Sequence, residues 1–154
     1  MNAPGQAAPR REDLSGLEYV RALMAGVFPA SPMARNVGWQ LVDVQHGAVR
    51  MEVTPGPHLY NHATLHGGAM ATMMDGAMAM AVNSSLPRGA RALTIELNTR
   101  FVAAPGLDCG PLSLFGKVVD MGERRARTEG RIEDASGKVY CHASGEFHLK
   151  RPPA

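Results

Sequence analysis

Between Leu14 and Val27 the apolar residues Leu17, Val20, Ala22, Leu23, Met24 and Val27 recur at helical spacing. Gly26, Pro29 and Pro32 close that segment, so a short amphipathic helix is expected there. The pattern then changes to alternation. Trp39 to Val44 and Val49 to Val53 read as two strands joined by the turn Gln45-His46-Gly47-Ala48, and Pro55-Gly56-Pro57 ends the second. Pro57 to Leu65 has no convincing period. From His66 to Val82 the sequence HGGAMATMMDGAMAMAV predicts one long, mostly buried helix, ending near Asn83, Ser84, Ser85 and Pro87. Four strands are expected after it: Arg91 to Ala103, Leu112 to Asp120, Arg124 to Asp134 and Val139 to Leu149. The breaks between them are Ala104-Pro105-Gly106, Met121-Gly122 and Ala135-Ser136-Gly137. A single buried helix followed by a run of strands, read as a meander, is an α+β pattern with the helix on one face of an antiparallel sheet.

The chain has 154 residues and 45% hydrophobic content, enough for one domain with a proper core, expected over residues 13–150. Residues 1–12, with Pro4, Pro9 and the Arg10-Arg11 pair, read as a disordered tail, as do Arg151 to Ala154. Sixteen basic residues against 14 acidic ones leave a net charge of +2, which gives no footprint for a nucleic-acid partner. Cys109 and Cys141 are too few for a disulfide framework and suit a reducing cytoplasm. The first residues lack the apolar core of a signal peptide, and Asp75 interrupts the methionine-rich run before it reaches membrane-spanning length. A cytoplasmic protein with no membrane partner is expected.

Asp75 is the one formal negative charge in the apolar helix. Removing a carboxylate from water is costly unless the site compensates, which marks it as a candidate base; the alternative is a structural tie to a neighbouring loop or to a second copy. Gly67 and Gly68 open the same helix, where backbone amides lack intrahelical acceptors and suit a carbonyl oxygen gaining negative charge. Close packing of the helix start is the alternative. Gly68 and Asp75 are seven positions apart, which places them roughly 10 Å apart along the axis. One carbonyl cannot reach both on the same helix, whereas Asp75 of an antiparallel second copy could meet it, so a site shared across a homodimer is expected.

Asn61 could orient a water or carbonyl, or simply form a turn. His66 could bind substrate or cap the helix. His58, His62 and His66 recur at helical spacing, but Pro55-Gly56-Pro57 argues against a helix there, so no metal is expected. Arg125, Arg127 and Arg131 share one strand face by parity and could hold phosphates of an anionic substrate, with an exposed sheet face as the alternative. Met70, Met73, Met74, Met78 and Met80 read as core filling, with some available to line an acyl pocket.

Asn61, His66-Gly67-Gly68, Asp75 and the strand Thr94-Ile95-Glu96-Leu97-Asn98 followed by Pro105-Gly106 together resemble the hotdog-fold acyl-CoA thioesterases of the phenylacetate-pathway type. The resemblance covers about residues 37–149 and implies a helix wrapped by an antiparallel sheet, in homodimers often paired as dimers of dimers. It also implies that Gly67 polarises a thioester carbonyl, that Asp75 of the other subunit serves as general base or nucleophile, that Asn61 assists the carbonyl or leaving group and that Thr94 positions the water. His66 and Gly68, with Arg125 and Arg127, are the further substrate-binding candidates, and no cofactor is expected. A hotdog hydratase or dehydratase, which would require a histidine and acid pair, is a rival reading. A non-catalytic acyl-CoA-binding protein is another, although the first 36 residues offer at most one helix and no basic recognition segment for a DNA-binding head.

Overall fold

The computed structural model describes residues 9–153. Residues 1–8 and 154, within the expected tails, lie outside the described residues, while Arg11–Asp13, which overlaps the end of the expected tail 1–12, forms a 3-10 turn.

The chain begins with α1 (Gly16–Met24) and α2 (Pro32–Val37), followed by the hairpin β1 (Gln40–Gln45) and β2 (Ala48–Val53). The long helix α3 (Gly67–Ser84) comes next, then β3 (Arg91–Phe101), β4 (Leu112–Met121), β5 (Arg125–Asp134) and β6 (Val139–Lys150). α1 is held by a capping box in which Ser15 and Glu18 satisfy each other's backbone amides. α2 was not expected, because the proline-rich stretch read only as a break. Its signals are nevertheless present: the Ser31 side chain accepts from Ala34 N–H, Pro32 stands in the first turn and Gly38 ends the helix in the left-handed region at φ 88°. The first 36 residues therefore supply more helix than expected.

All strand pairs are antiparallel, in the order β1-β2-β4-β5-β6-β3. β4, β5 and β6 form the expected meander, but β3 departs from it by pairing with β6 at the far edge. The reason lies in α3, whose 18 residues carry the chain about 27 Å across the sheet before β3 begins.

Met70, Met73, Met74, Ala77, Met78 and Ala81 bury one side of α3 against the sheet. The helix comes unusually close because glycines lie beneath it. A Cβ on Gly116 would fall 2.3 Å from the Ala77 carbonyl oxygen, and one on Gly130 would crowd Met74 and Met78. Gly116 and Gly130 are direct cross-strand partners, so together they form a depression that seats the helix. At the other end Ser84 Oγ accepts from Gly47 N–H at 2.9 Å and donates to the Gln45 carbonyl at 3.0 Å, tying the end of α3 to the first hairpin. No helix among the described residues is long and apolar enough to cross a membrane.

Candidate active site

The start of α3 is set by its cap. His66 takes an extended conformation and its Nδ1 accepts from Gly68 N–H at 2.8 Å, leaving Nε2 outside the cap. A Cβ on Gly68 would approach that ring to 2.9 Å, which explains the second glycine. The structure thus gives His66 the capping role and engages the Gly68 amide. Gly67 differs, since its N–H has no acceptor among the described residues and lies at the positive end of the helix dipole. A Cβ there would lie 3.4 Å from the Phe101 ring, so the helix start also packs against the end of β3.

The loop before the helix is more ordered than its sequence suggested. Pro57–Leu59 forms a 3-10 turn, Asn61 N–H donates to the Thr64 carbonyl at 2.9 Å, and His66 N–H donates to the Leu59 carbonyl at 2.9 Å. A second loop braces it: Leu65 N–H donates to the Pro105 carbonyl at 2.9 Å and the Tyr60 hydroxyl to the Gly106 carbonyl at 3.0 Å. Burial, with Cys109 Sγ beside the hydroxyl, pushes the Tyr60 phenol up to about 12. Asn61 is exposed at the tip of this braced loop, and its side chain makes no hydrogen bond among the described residues.

Two turns into α3, Thr94 Oγ1 donates to Asp75 Oδ1 at 2.8 Å, uniting the expected acid and hydroxyl. Thr94 faces the helix immediately before a bulge that shifts the β3–β6 register between Thr94 and Glu96. Such an extra residue re-aims the side chains beside it, which alternation alone does not reveal. Asp75 is half-buried and its Oδ2 has no hydrogen-bond partner among the described residues. The next residue, Gly76, admits the Trp39 indole, since a Cβ there would fall 2.8 Å from the ring. Sequence reasoning missed Trp39 and Phe101 as neighbours of the site. A mid-helix glycine costs about 1 kcal/mol against alanine, and that cost was the available signal for Trp39. Gly67 and Asp75 are eight residues apart, or about 12 Å along the helix, too far to act on one carbonyl.

Arg125 and Arg127 are not gathered here. They lie on the sheet face opposite α3, Arg125 paired with Glu146 and Arg127 with Asp120 at 3.3 Å. Arg131, on the same face, is paired with Glu133 at 2.7 Å. Two of the three histidines considered as metal ligands have other partners: His58 Nε2 lies 2.7 Å from the Asn36 carbonyl oxygen, and His66 caps α3, while His62 is exposed.

Residues 62–141 match the sequence profile of the thioesterase superfamily. A protein of Halobacterium salinarum named as a candidate esterase is 33% identical over 124 residues, covering 75% of this chain and 82% of that protein. Among solved structures, a candidate thioesterase from Ralstonia eutropha described as phenylacetic acid degradation-related superposes with a TM-score of 0.77 at 22% identity, over 84% of this chain and 98% of that one. A hypothetical thioesterase of Streptococcus pneumoniae solved with coenzyme A gives a TM-score of 0.68 at 20% identity, over 75% of this chain and 88% of that one. These likenesses identify the architecture as the hotdog fold.

Proposed function

The chain belongs to the thioesterase superfamily and is a thioester hydrolase, and from that premise we propose that its substrate is an acyl-CoA, cleaved at sites shared between two copies of the chain. The observation carrying this reading is the separation of a free Gly67 amide from the Asp75–Thr94 pair along one helix, beside an edge strand left open. Among the described residues β3 pairs only with β6, and Leu93, Ile95 and Phe101 along it are 62%, 51% and 47% exposed. An unpaired apolar edge of this length is a template for a second strand. Pairing of two such edges about a twofold would bring the Asp75 of one copy towards the Gly67 of the other.

In each shared site the thioester carbonyl oxygen accepts from Gly67 N–H. Thr94 holds one oxygen of the partner-copy Asp75 carboxylate while the other takes a proton from water. The water oxygen bonds to the carbonyl carbon, the carbonyl π pair moves onto the oxygen facing Gly67, and collapse of that intermediate breaks the C–S bond to release the thiolate. Direct attack by the carboxylate, giving an anhydride that water then cleaves, uses the same residues. Asn61, whose side chain is free among the described residues on its braced loop, orients the carbonyl or the leaving sulfur in this reading. Capping leaves His66 poorly suited to the acid–base role that a hydratase would require.

The test is thiol release from short, long and aromatic acyl-CoAs by wild type and Asp75→Asn side by side. Release that collapses in the variant supports the reading, whereas equal rates in both would remove Asp75 from the mechanism.

A further inference from the structure

The outer face of the sheet carries a groove of about 560 Å³ that the proposed hydrolytic site does not use. It is crossed by two lines of side chains set by strand register. In the first, Phe115, Arg131, His142 and Arg100 are successive partners across β4, β5, β6 and β3. In the second, Lys117 faces Glu129, followed by Ser144 and Asn98.

The charges in this groove are unequal in their partners. Arg131 is stacked 4.0 Å over the Phe115 ring and shares its charge with Glu133. Arg100 and Lys117 have no ion pair among the described residues, although Glu129 is directly opposite Lys117 in register. Sequence parity nominated Arg125, Arg127 and Arg131 as phosphate ligands, but each is paired with a carboxylate, Glu146, Asp120 and Glu133 respectively. Among the described residues, the groove's cations without an ion pair are therefore Arg100 and Lys117, with the His142 imidazole between Arg131 and Arg100. Arg131 and Arg100 are two interstrand steps apart, about 10 Å, which exceeds the width of a single phosphate. The volume falls in the range of small-ligand sites.

We propose that this groove binds an adenosine phosphate, with Arg100 and Lys117 as its principal phosphate ligands and the Arg131–Phe115 stack as a platform for the base. The net positive charge disfavours a second copy on the same face, because a twofold contact would set like charges together. The ligand has two possible sources, the nucleotide end of the substrate or a free nucleotide. Arg100 and Phe101 are neighbours at the end of β3 but point to opposite faces, Phe101 towards the start of α3 and Arg100 into the groove, so a substrate spanning both would have to pass around the end of that strand. The substrate source rests on the acyl-CoA reading; the binding itself does not.

Calorimetry with ADP at low ionic strength, on wild type and on Arg100→Gln/Lys117→Gln, tests the binding independently of hydrolysis. The expected result is saturable ADP binding, weakened about tenfold or more in the double variant and weakened by added salt. Comparing KM for an acyl-CoA and the corresponding acyl-pantetheine then separates the sources. If the substrate's own nucleotide occupies the groove, the KM advantage of acyl-CoA shrinks by a similar factor in the variant. If ADP binding weakens but that advantage persists, the groove takes a free nucleotide. Absence of ADP binding to wild type, or equal binding to both proteins, overturns the proposal. A changed sedimentation state in the variant without ADP binding overturns it too and assigns the face to another copy.

Discussion

α3 presents two faces that its composition makes look alike. Towards the sheet, Met70, Met74, Ala77, Met78 and Ala81 are sealed over the Gly116–Gly130 depression. On the flank turned to the edge strand β3 and to solvent, Gly68, Thr72, Asp75, Gly76 and Ala79 are less buried, and Thr94 and Trp39 approach the helix there. Hydrophobicity alone does not separate a packing face from a chemical one. The separation lies in which glycine makes room for what: Gly116 and Gly130 admit the helix itself, Gly68 admits its histidine cap, and Gly76 admits an indole beside the carboxylate.

Substitutions on the two faces should therefore fail in different ways. Asp75→Asn is expected to lower turnover by about 10²–10⁴-fold while leaving the thermal melt in place, as measured by thiol release and circular dichroism. Gly67→Pro removes the amide hydrogen and adds a ring whose Cβ would meet Phe101 at an ordinary contact distance of 3.4 Å. Proline is favoured in the first helical position, and His66 already has the extended ψ of 132° that a residue before proline requires. Turnover is expected to fall about 10²–10³-fold with α3 intact, and a near-normal kcat would remove this amide from the oxyanion site. Thr94→Val breaks the bond to Asp75 and should reduce kcat about tenfold, with little change in KM. On the packing face the loss should be in stability. Gly116→Ala forces a Cβ against the Ala77 carbonyl and is expected to cost about 1–3 kcal/mol in urea unfolding, with turnover per folded molecule retained. A catalytic collapse in folded Gly116→Ala protein would break the distinction between the two faces.

Much of this organisation is legible in the sequence because local physics sets it. α3 and the strands follow their hydrophobic periods and turn residues to within a few positions. Asp75 and Gly67 stand out because a carboxylate and uncovered amides are unusual in an apolar helix. What sequence alone leaves obscure depends on long-range placement. β3 lies beside β6 rather than β4 because α3 traverses the sheet, a consequence of topology that turn chemistry does not encode. Thr94 meets Asp75 through a bulge, and Arg125 and Arg127 lose their availability to carboxylates on other strands or beyond a bend in the ladder. α2 was missed for another reason: its Ser31-Pro32 start is a helix signal embedded in residues that also signal a break.

The central claim, that each site draws Gly67 from one copy and Asp75 from the other, is tested most directly by mixed dimers. Co-expression of differently tagged Asp75→Asn and Gly67→Pro chains, followed by tandem purification, yields dimers in which one shared site has both groups and the other has neither. Such dimers should recover about half of wild-type turnover although each parent is nearly inactive. Turnover no higher than that of the parents, in mixed dimers shown to be intact, would contradict the shared site and return both groups to a single chain.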